Sequence, residues 1–147
     1  MKLSAFTDYS LRVLIYLAAE PGRRATIAGI AQAFGVSEHH LTKVVHFLGK
    51  EGWLANVRGK GGGLGLAKPP HDIVVGWVVR ATEGASVPAE CFGDKPDTCS
   101  IASVCRLRGV LAAAVEAFYA VLDAQTLADL VHNRASLSKM LFIHTAS

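Results

Sequence analysis

Residues 26–68 read TIAGIAQAFGVSEHHLTKVVHFLGKEGWLANVRGKGGGLGLAK. Behind Thr26, a residue that caps helices well, Ile27, Ile30, Ala31 and Phe34 share one side of a short helix, and Gly35 closes it. Ser37 then caps a second run that carries Leu41, Val44, Val45 and Leu48 inward and ends near Gly49 and Gly52. Two short helices joined by a tight glycine-containing turn predict a helix-turn-helix. Next come two short strands, Trp53–Arg58 and Leu64–Lys68, flanking the turn Gly59-Lys60-Gly61-Gly62-Gly63. A helix-turn-helix followed by such a hairpin is a winged helix.

Upstream, Leu11, Leu14, Ile15 and Ala18 repeat at helical spacing, which predicts a helix over Thr7–Ala19, capped by Thr7 and stopped by Pro21-Gly22. Downstream, Pro69-Pro70 breaks the chain, and Asp72 is placed to cap a helix over Ile73–Glu83. After Cys105 a long helix runs to about Leu122. Its stripe of Leu107, Val110, Leu111, Ala114, Val115, Phe118 and Leu122 is broad, with Arg106, Arg108 and Glu116 largely off it. A lone helix of that length is marginal in water, so a second subunit is its natural cover. A short helix over Leu127–His132 follows Thr126, and the sequence beyond Arg134 gives little signal. The expected fold is mainly α with a small β-hairpin wing. A DNA-binding winged helix spans 1–83, a loop 84–105, the dimerisation helix and its short follower 106–133, and a tail 134–147.

The chain of 147 residues is 51% apolar, enough for one domain with its own core and no disulfide staples. Asp8 and Arg12 interrupt the start where a secretory signal needs an unbroken apolar run, and charges break every later apolar stretch. A soluble cytoplasmic protein is expected, with no membrane partner, and its thiols stay reduced. Residues 1–80 hold ten Lys/Arg against five Asp/Glu, and residues 81–147 hold five against seven. The basic N-terminal half suits phosphate binding.

Three cysteines fall within fifteen residues, Cys91-FGDKPDT-Cys99-SIASV-Cys105. Gly93, Asp94, Pro96 and Asp97 make this segment a loop. An odd number cannot pair off internally, and three thiols on one loop can converge on one metal centre. The spacings suit a loop wrapped round a bulky iron–sulfur cluster better than zinc, whose structural sites use Cys-x-x-Cys knuckles. The alternative is three ordinary thiols, or a redox pair and a spare. A cluster taking four protein ligands needs one more, from Asp8 or one of the six histidines. Read alone, Asp8 is better taken as a solvated first-turn carboxylate favoured by the helix dipole than as a ligand. His71, His132 and His144 read as surface residues.

The second helix of the helix-turn-helix offers Ser37, Glu38, His39, His40, Thr42, Lys43 and His46 on its polar side. The N-terminal residues of such a helix reach base edges, so Ser37, His39, His40 and Lys43 are candidate DNA contacts, against the alternative of a solvated face. Adjacent His39 and His40 do not share a helix face as a metal pair would. The glycine run is not a dinucleotide fingerprint, because the sixth position from Gly59 is Leu64 and from Gly61 is Leu66. It lacks the Gly-Lys-Ser/Thr of a phosphate loop too. A flexible wing tip remains, with Arg58 and Lys60 placed to enter a minor groove.

With these parts together, residues 1–133 resemble the iron–sulfur winged-helix regulators of the IscR/NsrR family. The resemblance rests on Met-Lys-Leu-Ser-Ala-Phe-Thr-Asp8-Tyr, on Val57-Arg58-Gly-Lys-Gly-Gly-Gly and on the three-cysteine loop. Cys105-Arg-Leu-Arg-Gly-Val-Leu, Ala117-Phe118 and Thr126-Leu-Ala-Asp-Leu-Val131 are its most specific marks. IscR-like members carry a histidine ligand three residues after the last cysteine. Here that residue is Arg108, so the chain looks like the NsrR-type, nitric-oxide-sensing branch. The resemblance implies a homodimer with one cluster per subunit, 4Fe–4S in preference to 2Fe–2S, held by Cys91, Cys99 and Cys105. Asp8 matches a position that in some members gives the fourth ligand from the partner subunit.

The expected function is a cluster-dependent repressor, not an enzyme, that binds double-stranded operator DNA and releases it on nitric oxide. A regulator of the same family responding to iron or cluster status is the near alternative, and a metal-free thiol-redox regulator the distant one. Neither a second cluster motif nor a substrate-binding signature points to an electron carrier or enzyme.

Overall fold

In a computed structural model, residues 2–84 and 87–143 are described. Met1, Ala85, Ser86 and residues 144–147, with His144 and the end of the expected tail, lie outside them, as does the side chain of Asp97.

Helix α1 spans Ala5–Ala19. Its cap is Ser4, whose hydroxyl accepts from the Thr7 amide at 3.2 Å, so the helix starts two residues before the expected Thr7. Thr7 is instead fully buried inside the first turn, its hydroxyl engaged by a residue far along the chain. Val13, Leu14, Leu17 and Ala18 bury the inner face of α1, which packs against the recognition helix, the wing and the helices before and after the long helix that follows Cys105.

Helices α2 (Ile27–Phe34) and α3 (Glu38–Lys50) form the helix-turn-helix. Thr26 accepts from the Gly29 amide, and Gly35 closes α2 in the left-handed region at φ +64°, where only glycine sits without strain. Leu41, Val44 and Leu48 of α3 are buried against α1 and α2. Phe6 meets Phe47 edge to face at 5.3 Å, a contact worth about 0.5–1.5 kcal/mol beyond burial.

Strands β1 (Leu54–Val57) and β2 (Gly63–Leu66) pair antiparallel, with Leu54 opposite Leu66 and Val57 opposite Gly63. Ala25 bridges to Leu64 on the other edge of β2, which binds the wing to the start of α2.

Helix α4 spans Val75–Glu83, starting later than Ile73, and Asp72 does not cap it. Asp72 ends a 3-10 turn over Pro70–Asp72. Ile73 and Val74 are extended because they pair with the chain fifty residues on. The Val75 amide donates to Gln125 O at 2.9 Å and the Leu127 amide to Ile73 O at 2.8 Å.

Helix α5 runs Arg106–Asp123, about 27 Å at 1.5 Å per residue, and none of its residues is buried. Its C-terminal end is fixed to α4 by a bidentate Arg80–Asp123 pair at 2.5 and 2.9 Å. A Cβ on Gly76 would collide with Asp123 there, so the close approach requires glycine. Helix α6 is shorter than expected, Leu127–Leu130, behind a capping box of Thr126 and Asp129.

Past it, in a stretch with little sequence signal, an eight-residue helix α7 (Arg134–Leu141) returns to α1. Phe142 packs on Tyr16 at 5.0 Å, edge to face, and the Ser138 hydroxyl reaches Ala19 O. Among the described residues no helix is long and apolar enough to cross a membrane.

Candidate DNA-binding face and cysteine centre

The polar face of α3 is exposed along Glu38, His39, His40, Thr42, Lys43 and His46. Ser37 precedes it, with no capping bond from its hydroxyl. Two of these residues are less available than the sequence implies. The Thr42 hydroxyl turns back to Glu38 O at 2.8 Å. The His40 ring stacks on Tyr9 of α1, with centroids 6.2 Å apart and planes 28° from parallel. His39 and Lys43 stay unengaged except for a tilted approach of the two histidine rings.

Arg58 and Lys60 are exposed at the wing tip and take part in no ion pair among the described residues. The tip turns tightly: Gly59 and Gly61 have φ of +92° and +77°, and the Gly62 amide donates to Gly59 O at 2.9 Å. A Cβ on Gly62 would lie 2.1 Å from Val57 O, a backbone atom that cannot step aside.

The three cysteines lie between α4 and α5. Cys91 sits in a 3-10 turn over Glu90–Phe92, Cys99 directly follows a second over Pro96–Thr98, and Cys105 is the residue before α5. The two turns pack on each other. Arg108, in the first turn of α5, holds its guanidinium 5.6 Å over the Phe92 ring and so draws the Cys91 turn toward Cys105. All three thiols are free; Cys91 and Cys105 are half-buried and Cys99 is exposed. Among the described residues no three His, Cys, Asp or Glu side chains are close enough to share a metal ion. The donor chemistry nonetheless fits an iron–sulfur cluster, since three unpaired soft sulfurs lie on one loop.

Asp8 sits in the first turn of α1 on the opposite side from the core, half-exposed. Its carboxylate pairs with Arg12 one turn on, at 2.9 Å to Nη2 and 3.1 Å to Nε. Such an exposed i,i+4 pair contributes only about 0.3–0.5 kcal/mol, so Asp8 can exchange Arg12 for a stronger partner at little cost. Its neighbours touch α3 on both sides, Phe6 through Phe47 and Tyr9 through His40. Arg12, Tyr9 and Glu83 escaped the sequence reading. The four-residue spacing of Asp8 and Arg12 was the one available signal.

Glu83 carries the one carboxylate in this region with a clear perturbation. Burial pushes its pKa up, but hydrogen bonds from Thr7 and Ser4 outweigh burial and hold it below the ordinary value. The stabilisation belongs to the ionised form. It is present above the ordinary carboxylate value and is lost as the pH falls through the lowered one.

A family model described as Rrf2, iron-dependent transcriptional regulator, matches residues 3–133. The chain belongs to the Rrf2 family. This Rrf2 protein is 49% identical over 142 residues to the HTH-type transcriptional regulator NsrR of Geobacillus kaustophilus, covering 96% of this chain and 97% of that one. The NsrR of Bacillus subtilis is 48% identical over the same shares. Among solved structures, IscR of T. potens superposes with a TM-score of 0.72 at 29% identity, over 90% of this chain and 88% of that one. CymR, the global cysteine regulator of B. subtilis, does so with 0.68 at 29% identity, over 90% and 98%. The winged helix and the family agree: the Rrf2 protein is a DNA-binding transcriptional regulator, not an enzyme.

Proposed function

We propose that this regulator is a homodimeric repressor whose operator binding depends on an iron–sulfur cluster and is relieved by nitric oxide. The observation that carries the reading is the trio of free thiols on the loop joining the DNA-binding unit to an uncovered helix. Cys91, Cys99 and Cys105 would hold the cluster, 4Fe–4S in preference to 2Fe–2S, and Asp8 of the partner subunit would complete it. The names of the relatives support the NsrR-type branch, for which the resemblance implies nitric-oxide sensing. When bound, the cluster supplies iron open to attack by nitric oxide, and a carboxylate is the weakest-held of these ligands on a soft site.

The rest follows from this chain's own residues. Asp8 has two possible partners, the cysteine centre across the interface and Arg12 on its own helix. Returned to Arg12, it no longer ties its turn of α1 to the other subunit. Tyr9 and Phe6 of that turn lie against His40 and Phe47 of α3, so the release reaches the recognition helix directly. The two recognition helices must keep a fixed separation to enter half-sites about one helical turn, or a multiple of it, apart, and loss of the tie loosens it. Ser37, His39, His40 and Lys43 would face bases, and Arg58 and Lys60 the adjoining groove. His40 would do so while keeping its stack on Tyr9.

Titrating anaerobic holo-protein with nitric oxide while following operator binding tests the reading. DNA should be released in step with the collapse of the visible spectrum. Asp8→Ala should keep a coloured centre on three thiolates yet couple it poorly to DNA. Operator binding that persists after the spectrum collapses would sink the nitric-oxide reading and favour the iron-status alternative.

The wing gives a separate expectation. Gly62→Ala should weaken operator binding by about tenfold, toward the lower end of one groove contact, because the added Cβ meets Val57 O and forces the tip out of its turn. Arg58→Ala should lower affinity and reduce the slope of log K against log salt by about one. Anisotropy titrations at several salt concentrations check both, and wild-type slopes and affinities in both variants would remove the wing from the interface.

A further inference from the structure

Glu83 is the last residue of α4, and Gly84 after it opens the cysteine loop. Its carboxylate reaches back to the start of the chain. Oε1 accepts from the Ser4 amide at 2.8 Å and from the Thr7 hydroxyl at 2.6 Å. Thr7 is fully buried, and its Oγ1 also lies 2.8 Å from Thr82 Oγ1. In a capping box, the cap hydroxyl accepts from the third helical amide and the third side chain accepts from the cap amide. Ser4 fulfils the first half here. Thr7 occupies the third position and lacks a carboxylate, so Glu83 supplies the second half from another helix. The box that starts α1 is therefore closed by the residue just before the cysteine loop. Asp8 is the next residue after Thr7, in the same turn, with its own amide donating to Ser4 O at 3.0 Å.

We propose that Glu83 is a positioning residue, a clasp that holds the Asp8-bearing turn of α1 in register with the entrance of the cysteine loop. The inference rests on Asp8 being a ligand of the partner's centre. In the dimer each clasp would fix two things at once, where a subunit's own loop begins and where its Asp8 is offered to the other subunit. Without it, the first turn of α1 frays, and a fourth ligand would be presented by a mobile end.

The test compares full-length wild type with Glu83→Ala, Glu83→Gln and Asp8→Ala. In cluster-free protein, hydrogen exchange at amides 4–8 should rise in Glu83→Ala by about tenfold or more, as expected for losing hydrogen bonds to a charged group. Both bonds run to one oxygen, which an amide also provides without the charge, so Glu83→Gln should fall between wild type and Glu83→Ala. In anaerobic holo-protein, Glu83→Ala should shift the visible circular dichroism of the centre in the same sense as Asp8→Ala, and Glu83→Gln should shift it less. Thr7→Val, which removes one donor at constant shape, replaces Glu83→Ala if that variant does not fold, and should fall between wild type and Asp8→Ala. Wild-type exchange and dichroism in Glu83→Ala, beside a changed signal in Asp8→Ala, overturn the clasp and leave the Asp8 reading standing. An unchanged signal in Asp8→Ala overturns that reading and the role of Glu83 with it.

Discussion

Serine at Cys91, Cys99 or Cys105 will give a folded protein that purifies colourless, or loses its colour within minutes, and no longer holds operator DNA. The substitution exchanges one sulfur for one oxygen at nearly constant shape. None of the three thiols is buried or disulfide-bonded, so the fold should barely notice, within about 0.5 kcal/mol as for ordinary surface changes. What changes is ligand chemistry. A thiolate is soft and forms near neutral pH, whereas a serine hydroxyl stays protonated and is hard. A centre with two thiolates from its own loop is left under-ligated. Visible absorption of anaerobic protein, iron content and anisotropy on an operator duplex measure the effect, with the thermal melt as control. Three serine variants that keep wild-type colour would end the cluster reading. A colourless wild type that still binds DNA would leave the metal-free thiol-redox reading.

The parts of this fold that are legible in sequence are those whose determinants lie within a few residues. Thr26 and Gly35 bracket α2 because a cap hydroxyl and a left-handed glycine act locally. The glycine run yields the hairpin for the same reason. Where the local pattern misleads, a distant residue has taken the group in question. Thr7 looks like a cap, yet its hydroxyl belongs to Glu83, and Ser4 caps instead. Ile73 and Val74 look helical, yet Gln125 and Leu127 draw them into extended pairing. Helix α7 is as long as α2 but lacks its side-chain cap bond, and Phe142 declares its role only against Tyr16.

The candidate site divides the same way. Cysteine spacing on a loop is visible in the chain, and so is a polar recognition helix. The contacts that would make Asp8 consequential, Tyr9 on His40 and Glu83 on Ser4, join elements 31 and 79 residues apart, beyond any local periodicity. Convergence of the three sulfurs is not a property of the isolated chain, since metal sites generally form with their metal and, in the present reading, with a second subunit.

A glutamate at Leu111 will convert the proposed dimer to a folded monomer and lower operator affinity by two orders of magnitude or more. Helix α5 has no buried residue along its 18-residue length. Leu107 and Val110 are 61% and 64% exposed. On the neighbouring face Leu111, Val115 and Phe118 line a groove of about 500 Å³ together with Lys2 and Leu3. Covering side chains of this size is worth about 1.5–3 kcal/mol each, enough to hold two copies together through a handful of residues. A two-fold interface uses the same patch twice, so one substitution places two carboxylates in the dry contact, at a cost of several kcal/mol each. Each monomer should survive, because the buried core is built from α1–α4, the wing, α6 and Phe142 beyond α7, without α5. Monomers engage half-sites singly and lose the effective concentration that linkage confers, about 10²–10⁴-fold in avidity. Sedimentation velocity and operator anisotropy on Leu111→Glu and Val115→Glu measure both effects, with far-ultraviolet circular dichroism showing that the helices remain. Dimers that persist in both variants would place the interface on another face. Asp8 would then have no route to a partner's cysteine loop by way of this groove, because its turn of α1 follows directly on Lys2 and Leu3 at the groove's edge.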